Sequence, residues 1–475
     1  MPGLKPLGTV AALSREWSAL KRLLFFTAIL SLLLAACAGG DEHTSNGATS
    51  GPVNITFWHS EGASGKDNLL KLVDRFNASQ TEVKVEPIYQ GGDQDLALKL
   101  IAGMPGGNVP TIAYMSEPFT QPMIDSGEIT PIQEYVDRDK YDLSDFIPAT
   151  IAYYTIDGTL YAMPHGLAVP LMYYNKIPFR EVGLDPDRPP RDLDEAQAAS
   201  EKLLRRDSAG NVTRSGFALD ISAWYVELML AGAGELYVNN DNGRAGFATE
   251  VAFDNEAGRK LFQWWHDMVQ DGLALNVGRS PSAGVDALLA IGAERAVMVL
   301  STSGALRSIV DVLETRGVEG IEPGVAPVPG IPGAVPEGSP GVYTRSLWIM
   351  SARPEAERDG AWKFIKWLVE PEQQAEWFAG SGYLPVRNSA YGLPAAREII
   401  ARYPQFQIPV DLFAKTATTT AALGPLLGPF QQVREAVNEA IESMLSGASS
   451  PDEAMEIAVK EGNAAISEYN RRMGR

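Results

Sequence analysis

The first part of the chain alternates between strand-like and helix-like patterns of apolar residues. Strand patterns occur at 53–58, 83–86 and 111–115. Between them, apolar residues recur at helical spacing over 69–76 and 96–102. Because strands that alternate with helices form parallel β-α-β units, these patterns predict an α/β fold.

The rest of the chain continues with strands and ends in helices. Three further strand patterns lie at 171–174, 296–300 and 346–350. Helical patterns with one apolar face cover 362–369 and 433–445, so the last third is predicted to be mainly helical. The Pro- and Gly-rich segment 320–341 is predicted to be an exposed loop.

The first 36 residues have the pattern of an export signal. Basic residues, among them Lys21 and Arg22, precede an apolar run at 23–34 that leads into small residues. This run of 12 residues is shorter than the roughly 20 that a membrane-spanning helix needs. We therefore expect residues 1–36 to be a signal peptide that directs the chain out of the cytoplasm.

The only cysteine of the chain, Cys37, lies directly after this segment. Together with Leu34, Ala35 and Ala36 it resembles a bacterial lipobox, which implies cleavage before Cys37 and attachment of lipid to it. A free or intermolecularly paired thiol is the alternative. Small and polar residues over 37–52 predict a flexible tether. We expect an extracytoplasmic body that is lipid-anchored to the cell membrane, in the periplasm or at the outer face of the cytoplasmic membrane.

Composition and charge narrow the function further. The chain has 475 residues, of which 45% are hydrophobic and 21% charged, as in globular proteins with a sizeable core. A net charge of −19 argues against a nucleic-acid partner, because such binding depends on Lys and Arg. The four histidines are far apart in sequence, so no metal and no cofactor is predicted. A pair of carboxylates for glycoside hydrolysis stays open.

Six short motifs are distributed over the mature chain in a fixed order. They are FWHS at 57–60, RFN at 75–77, GGNVP at 106–110, PLMYYNK at 170–176, AEWF at 375–378 and GYLPV at 382–386. This ordered set resembles the solute-binding proteins of ATP-driven (ABC) importers. It is most similar to the branch that binds sn-glycerol-3-phosphate and glycerophosphodiesters.

The resemblance implies a two-lobed periplasmic-binding-protein fold of type II, with the ligand in the cleft between the lobes. Carried onto this chain, one lobe would comprise 53–167 plus 304–350, and the other 168–303 plus 351–475. It also implies a non-enzymatic monomer that delivers a small phosphoglycerol ligand to membrane permease subunits with a cytoplasmic ATPase.

Four site residues follow from the resemblance. The phosphate-clamping arginine matches Arg434, the ligand-contacting tyrosine Tyr383, the glycerol-contacting acid Glu117, and a hydroxyl position Thr302. A guanidinium can bind phosphate oxygens in a bidentate manner, and an ionised carboxylate accepts hydrogen bonds from hydroxyls. Residue chemistry alone leaves a surface arginine, a core tyrosine, a loop carboxylate and a helix N-cap open for these positions.

Four other positions depart from the family pattern. Asp93 replaces an aromatic residue, Ala168 a serine, Thr344 a glycine and Leu193 a tryptophan. Loss of the tryptophan would open one wall of the pocket, which suits a head group larger than glycerol-3-phosphate, such as choline. Asp93 is a candidate partner for the cation of such a head group.

An oligosaccharide is the main alternative ligand for the same architecture. Sugar sites combine aromatic faces with carboxylates, and Trp58, Trp224, Tyr225 and Trp348 are candidate platforms. In that case Arg434 would have a scaffold role only. A glycosidase is the alternative from a different functional class.

Overall fold

The structure is a computed structural model that describes residues 51–475 apart from 281–282, 317–319, 335–337 and 418. The predicted signal peptide and Cys37 lie outside the described residues, as does nearly all of the predicted tether. Residues 51–475 form one compact unit. In the described part of the chain, no helix is both long and apolar enough to cross a membrane.

Two six-stranded sheets and one short hairpin contain the strands. The strands are β1 Val53–His59, β2 Val83–Tyr89, β3 Ile112–Ser116, β4 Ile129–Thr130, β5 Thr155–Ile156, β6 Thr159–Leu160, β7 Met163–Ala168, β8 Pro170–Asn175, β9 Arg205–Arg206, β10 Val212–Leu219, β11 Ala274–Asn276, β12 Ala296–Thr302, β13 Pro323–Pro327 and β14 Tyr343–Met350. The first sheet has the strand order β2-β1-β3-β14-β4, with β7 also paired to β14, and the second has the order β11-β10-β12-β8-β13, with β9 paired to β10. The hairpin is β5-β6.

Helices cover the faces of both sheets. They are α1 Ala63–Ser79, α2 Asp93–Gly103, α3 Thr120–Asp125, α4 Ile132–Asp139, α5 Pro148–Tyr154, α6 Lys176–Glu181, α7 Leu193–Leu203, α8 Trp224–Ala233, α9 Asn239–Gly243, α10 Glu256–Gln270, α11 Ala283–Gly292, α12 Leu306–Arg316, α13 Glu355–Leu368, α14 Pro371–Ser381, α15 Pro394–Arg402, α16 Gln407–Ala414, α17 Thr420–Leu423, α18 Phe430–Leu445 and α19 Pro451–Arg472.

The predicted α/β class is confirmed, and the strands and helices of the first lobe lie where the apolar pattern placed them. β1 pairs in parallel with both β2 and β3. The later strands depart from a purely parallel arrangement, because β14 is antiparallel to β3 and β12 is antiparallel to β8. The segment 320–341 is more ordered than predicted, since β13 within it pairs with β8.

Each sheet has its own core, and the chain crosses between the cores several times. One crossing runs from β7 to β8 through Val169, and another leaves β12 at Ser303. The two crossings lie side by side: the Ser303 amide donates to the Val169 carbonyl at 2.8 Å, and the Val169 amide donates to Ser303 Oγ at 3.1 Å. The molecule therefore has two lobes joined by adjacent hydrogen-bonded segments.

The helices after β14 correct the predicted lobe boundaries. Phe364 on α13 packs in the first core, with its ring 5.7 Å from Phe57 and 4.9 Å from Phe76. Helices α13 to α16 thus extend the first lobe, although 351–475 was assigned to the second. Of the long helices after β14, only α18 and α19 pack in the second core. Strand β13 likewise belongs to the second sheet and not to the first.

Candidate functional site

A narrow cleft lies between the two lobes. The first lobe contributes Glu117, Tyr153 and Tyr343 to its lining. The second lobe contributes Glu227 and Tyr237, together with the segment that leads into α18. Tyrosines and carboxylates from both lobes thus lie among small and apolar residues in the lining, and these polar groups suit a ligand that carries hydroxyl groups.

Arg434 lies on the first turns of α18, where it is held by Glu227 of α8. Its Nε and Nη2 atoms each donate to one Glu227 oxygen at 2.6 Å. The guanidinium also lies over the Phe430 ring, 4.7 Å from its centroid. This bidentate contact fixes the edge of the guanidinium that is formed by Nε and Nη2.

Glu117 follows β3 directly, in the short 3-10 helix Glu117–Phe119. Burial raises its pKa to about 7, while the nearby charge of Arg434 opposes the shift. Near neutral pH the carboxyl group is therefore present in both protonated and ionised forms. It can both donate and accept hydrogen bonds there, whereas a fully ionised carboxylate only accepts.

Asp93 and Tyr383 belong to a second polar group, centred on Arg345 of β14. Arg345 Nη2 lies 2.6 Å from Asp93 Oδ1, and Arg345 Nε lies 3.0 Å from Glu61 Oε1. Tyr383 stacks on Trp377 with ring centroids 5.8 Å apart. The cation beside Asp93 is therefore supplied by the chain itself, which differs from the hypothesis that a ligand cation pairs there.

Thr302 and Ala168 lie at the crossing segments between the lobes. Thr302 ends β12, and its carbonyl accepts a hydrogen bond from the Tyr173 hydroxyl at 2.7 Å. Ala168 ends β7 and pairs with Tyr343, whose side chain lines the cleft. Ala168 is therefore next to a residue of the cleft lining, and both positions lie at the segments that join the lobes.

Thr344 and Leu193 are buried in the two cores. Thr344 Oγ1 is 2.7 Å from the Tyr154 hydroxyl, and the threonine is 1% exposed. Leu193 begins α7 and packs in the second core, and its carbonyl accepts a hydrogen bond from Trp264 Nε1 at 3.0 Å. The structure thus places Leu193 in a core and not in a wall of the cleft, contrary to expectation.

The four candidate sugar platforms do not form one aromatic group: Trp224 and Tyr225 have ring centroids 5.7 Å apart, while Trp58 and Trp348 pack in or against the first core. Trp348 is fully buried in the first core, and Tyr225 is 3% exposed in the second. Trp224 is partly buried and contacts Tyr343 edge to face, with ring centroids 5.8 Å apart. Trp224 therefore contacts a residue of the cleft lining.

The residues of these polar groups that were not singled out from the sequence include Glu227, Tyr237 and Arg345. Glu227 interrupts an otherwise apolar helix, and a carboxylate in such a position requires a partner when it is buried. That signal was available in the sequence. Tyr237 carries a buried hydroxyl that has no hydrogen-bond partner among the described residues.

Within the described residues, no group of three or more His, Cys, Asp or Glu side chains is arranged to hold a metal ion.

Comparisons with known proteins agree with this architecture. Residues 71–407 match the family model described as "Bacterial extracellular solute-binding protein". The sn-glycerol-3-phosphate-binding periplasmic protein UgpB of Pectobacterium atrosepticum is 31% identical over 427 residues, which cover 88% of this chain and 92% of that protein.

Solved structures show the same fold at lower sequence identity. UgpB from Mycobacterium tuberculosis, in complex with glycerophosphocholine, is similar with a TM-score of 0.68 and 21% identity, over 90% of this chain and 98% of that one. The cyclic alpha-maltosyl-1,6-maltose binding protein from Arthrobacter globiformis also has a TM-score of 0.68, with 24% identity over 88% of this chain and 100% of that one. The fold is therefore the two-lobed type II periplasmic-binding fold, and the chain belongs to the bacterial extracellular solute-binding proteins, the solute-binding components of ABC importers.

Proposed function

We propose that the chain binds sn-glycerol-3-phosphate or one of its diesters, such as glycerophosphocholine, in the cleft between the lobes. The observation that carries this proposal is the contact of Arg434 with Glu227, a residue of the cleft lining. Glu227 engages Nε and Nη2, while Nη1 has no hydrogen-bond partner among the described residues. The terminal N–H groups on Nη1 and Nη2 can then bind two phosphate oxygens at once.

Glu117 and Tyr237 would bind the rest of such a ligand. Both line the same cleft, one from each lobe. Glu117 can accept hydrogen bonds from the glycerol hydroxyls, and the unpartnered hydroxyl of Tyr237 can donate to an ester or phosphate oxygen. The similarity to sn-glycerol-3-phosphate-binding proteins over most of the chain supports the same assignment.

Transport would follow from closure of the lobes. A ligand that contacts both lobes stabilises the closed state by its higher affinity for that state. The permease subunits then recognise the closed, loaded form, and ATP hydrolysis on their partner subunits supplies the energy. No bond in the ligand is made or broken. Lipid on Cys37 would keep the protein at the outer face of the membrane.

Isothermal titration calorimetry on residues 51–475 tests the ligand class. We expect binding of sn-glycerol-3-phosphate or glycerophosphocholine and none of maltotriose. Arg434→Lys keeps the charge but removes the planar fork, so it should weaken phosphate-ligand binding about tenfold or more. Arg471→Gln, an exposed arginine near the end of α19, is the control. Binding of maltotriose alone would favour the oligosaccharide alternative and refute the proposal.

The anchor is tested separately on the full-length chain expressed in bacteria. Labelled fatty acid should be incorporated into the wild type and not into Cys37→Ser. Equal labelling of the two proteins would show that Cys37 is not the lipidated residue.

A further inference from the structure

Glu227 is a buried acid in the cleft, and the family resemblance assigns it no role. Its side chain is 4% exposed, and its two oxygens accept from Arg434 at 2.6 Å each. The carboxylate neutralises the guanidinium, so the pair carries no net charge. An anion that reaches Arg434 therefore meets a neutral pair and not an isolated cation.

The position of Glu227 also limits how Arg434 can move. The Nε–H group and one Nη2–H group are bonded to the carboxylate, and one face of the guanidinium lies on Phe430. Turning the guanidinium to present more donors to a ligand would break two charged hydrogen bonds to a buried acid, which is costly. Only the edge formed by Nη1 and the second Nη2–H group then remains available to a ligand.

Other charged side chains around the cleft also disfavour the approach of an anion. Glu117 and Glu235 line the cleft together with Glu227. The other arginine close by, Arg244, lies over the Tyr153 ring at 4.8 Å and donates to backbone carbonyls at its other side. Among the described residues that line the cleft, negative side chains thus outnumber cations, because three are glutamates and none is a lysine or an arginine.

A phosphate monoester and a phosphodiester differ in charge in such a site. Monoesters have a second pKa of about 6 and carry a charge close to −2 above neutral pH, whereas a diester carries −1. The second charge of a monoester would lie near the Glu227 carboxylate without a further cation to compensate it.

Building on the proposed function, we propose that Glu227 is a specificity-determining residue that makes the cleft select singly charged phosphodiesters over doubly charged phosphate monoesters. It acts through its charge on Arg434 and on the entering anion. A carboxylate is therefore needed at this position for selectivity, beyond any role in holding Arg434 in place.

The test compares two ligands that differ by one methyl group and one charge. These are sn-glycerol-3-phosphate and its phosphate methyl ester, titrated calorimetrically into residues 51–475 at pH 8.0. The wild type should bind the methyl ester at least tenfold more tightly. In Glu227→Gln, which keeps the shape but removes the charge, this preference should fall about tenfold because the monoester gains affinity.

Two further variants separate charge from positioning. Glu227→Asp keeps the charge on a shorter side chain, so both ligands should bind more weakly while the preference for the methyl ester is retained. Glu468→Gln removes an exposed carboxylate near the end of α19, and so controls for the change in net charge.

The outcomes distinguish this inference from the proposed function. A wild type that binds neither ligand refutes the proposed function, and this inference with it. An unchanged preference in Glu227→Gln refutes only the selectivity role. If Glu227→Gln fails to fold, the wild type still decides, because equal affinity for the two ligands overturns the inference.

Discussion

Arg345 and Asp93 form an ion pair inside the first lobe, with 2.6 Å between Arg345 Nη2 and Asp93 Oδ1. Burial alone would raise the pKa of Asp93, but Arg345 and a hydrogen bond from Ser60 hold that pKa below its ordinary value. Arg345 itself is 12% exposed at its side chain, so this cation is a fixed part of the lobe. A choline group would have to compete with it for Asp93.

The ion pair predicts that Asp93 is structural and not selective for choline. Asp93→Asn should lower the free energy of unfolding by about 1–3 kcal/mol, because Arg345 loses a charged partner. The preference for glycerophosphocholine over the phosphate methyl ester of glycerol-3-phosphate should not change. Urea denaturation and calorimetry measure the two effects, with exposed Asp74→Asn on α1 as the control. A tenfold loss of choline preference would restore the ligand-cation hypothesis.

The unpartnered hydroxyl of Tyr237 leads to a prediction about the stability of a variant that lacks it. Its ring packs near Phe253 and Phe430, at centroid distances of 5.1 and 6.1 Å, while the hydroxyl has no partner among the described residues. Because an unpaired buried hydroxyl is unfavourable, Tyr237→Phe should leave the unliganded protein equally stable or stabilise it by up to about 1 kcal/mol. Phosphoglycerol binding should weaken about tenfold if the ligand supplies the missing partner.

A matched tyrosine provides the control for that variant. The Tyr174 hydroxyl donates to the Pro186 carbonyl at 2.8 Å, so Tyr174→Phe should cost about 1 kcal/mol of stability and leave ligand binding unchanged. Thermal melting with and without ligand measures both variants. An equal loss of stability in the two variants would mean that the Tyr237 hydroxyl is hydrogen-bonded in solution.

Much of the fold was predictable because the strands of the first lobe carry dense apolar patterns. The assignment of helices to lobes was not, because an amphipathic face such as that of α13 specifies burial but not which core it joins. Strand β13, with the sequence PGVAP, was missed because its proline and glycine residues are typical of loops. Its pairing with β8 depends on contacts distant in sequence.

The candidate site was predictable only in part. Arg434 and Glu117 were identified through the resemblance: Glu117 lines the cleft, and Arg434 is bonded to Glu227 of its lining. Asp93 was assigned a ligand role because it stands where the family has an aromatic contact. Its partner, Arg345, is more than 250 positions away, and sequence alone does not reveal that contact. Glu227 could have been noticed as a charged residue within an apolar helix, but its pairing with Arg434 spans 207 positions.

The two lobes are also linked by a contact outside the cleft lining, which leads to a prediction about closure. Asp125 at the end of α3 accepts hydrogen bonds from the Tyr469 hydroxyl at 2.7 Å and from Arg475 Nη2 at 2.6 Å. Asp125 belongs to the first lobe, whereas Tyr469 and Arg475 belong to the second. Asp125→Asn should therefore shift the unliganded protein towards an open state and raise the apparent dissociation constant of any ligand that binds the closed form.

Small-angle X-ray scattering measures this shift as a larger radius of gyration in the absence of ligand. The control is Asp452→Asn, which removes an ion pair to Arg259 within the second lobe. Saturating ligand should return both variants to the wild-type radius. The same radius in the unliganded wild type and Asp125→Asn would show that this contact does not hold the lobes together.

Glu117 gives a prediction for the dependence of stability on pH. Its folded-state pKa of about 7 is above the ordinary value of 4.5, because burial disfavours the ionised form. The folded state therefore binds the proton more tightly than the unfolded state does. The resulting stabilisation is fully present below about pH 4.5 and is lost progressively as the pH rises through 7.

Glu117→Gln imitates the protonated acid and removes this titration. The stability of the variant relative to the wild type should therefore increase between pH 5 and pH 8, and urea denaturation at several pH values measures the difference. Other groups titrate in both proteins and cancel in the comparison, and exposed Glu134→Gln on α4 should show no such trend. A constant difference across this range would mean that Glu117 is ionised throughout, and a ligand hydroxyl would then find only an acceptor at this position.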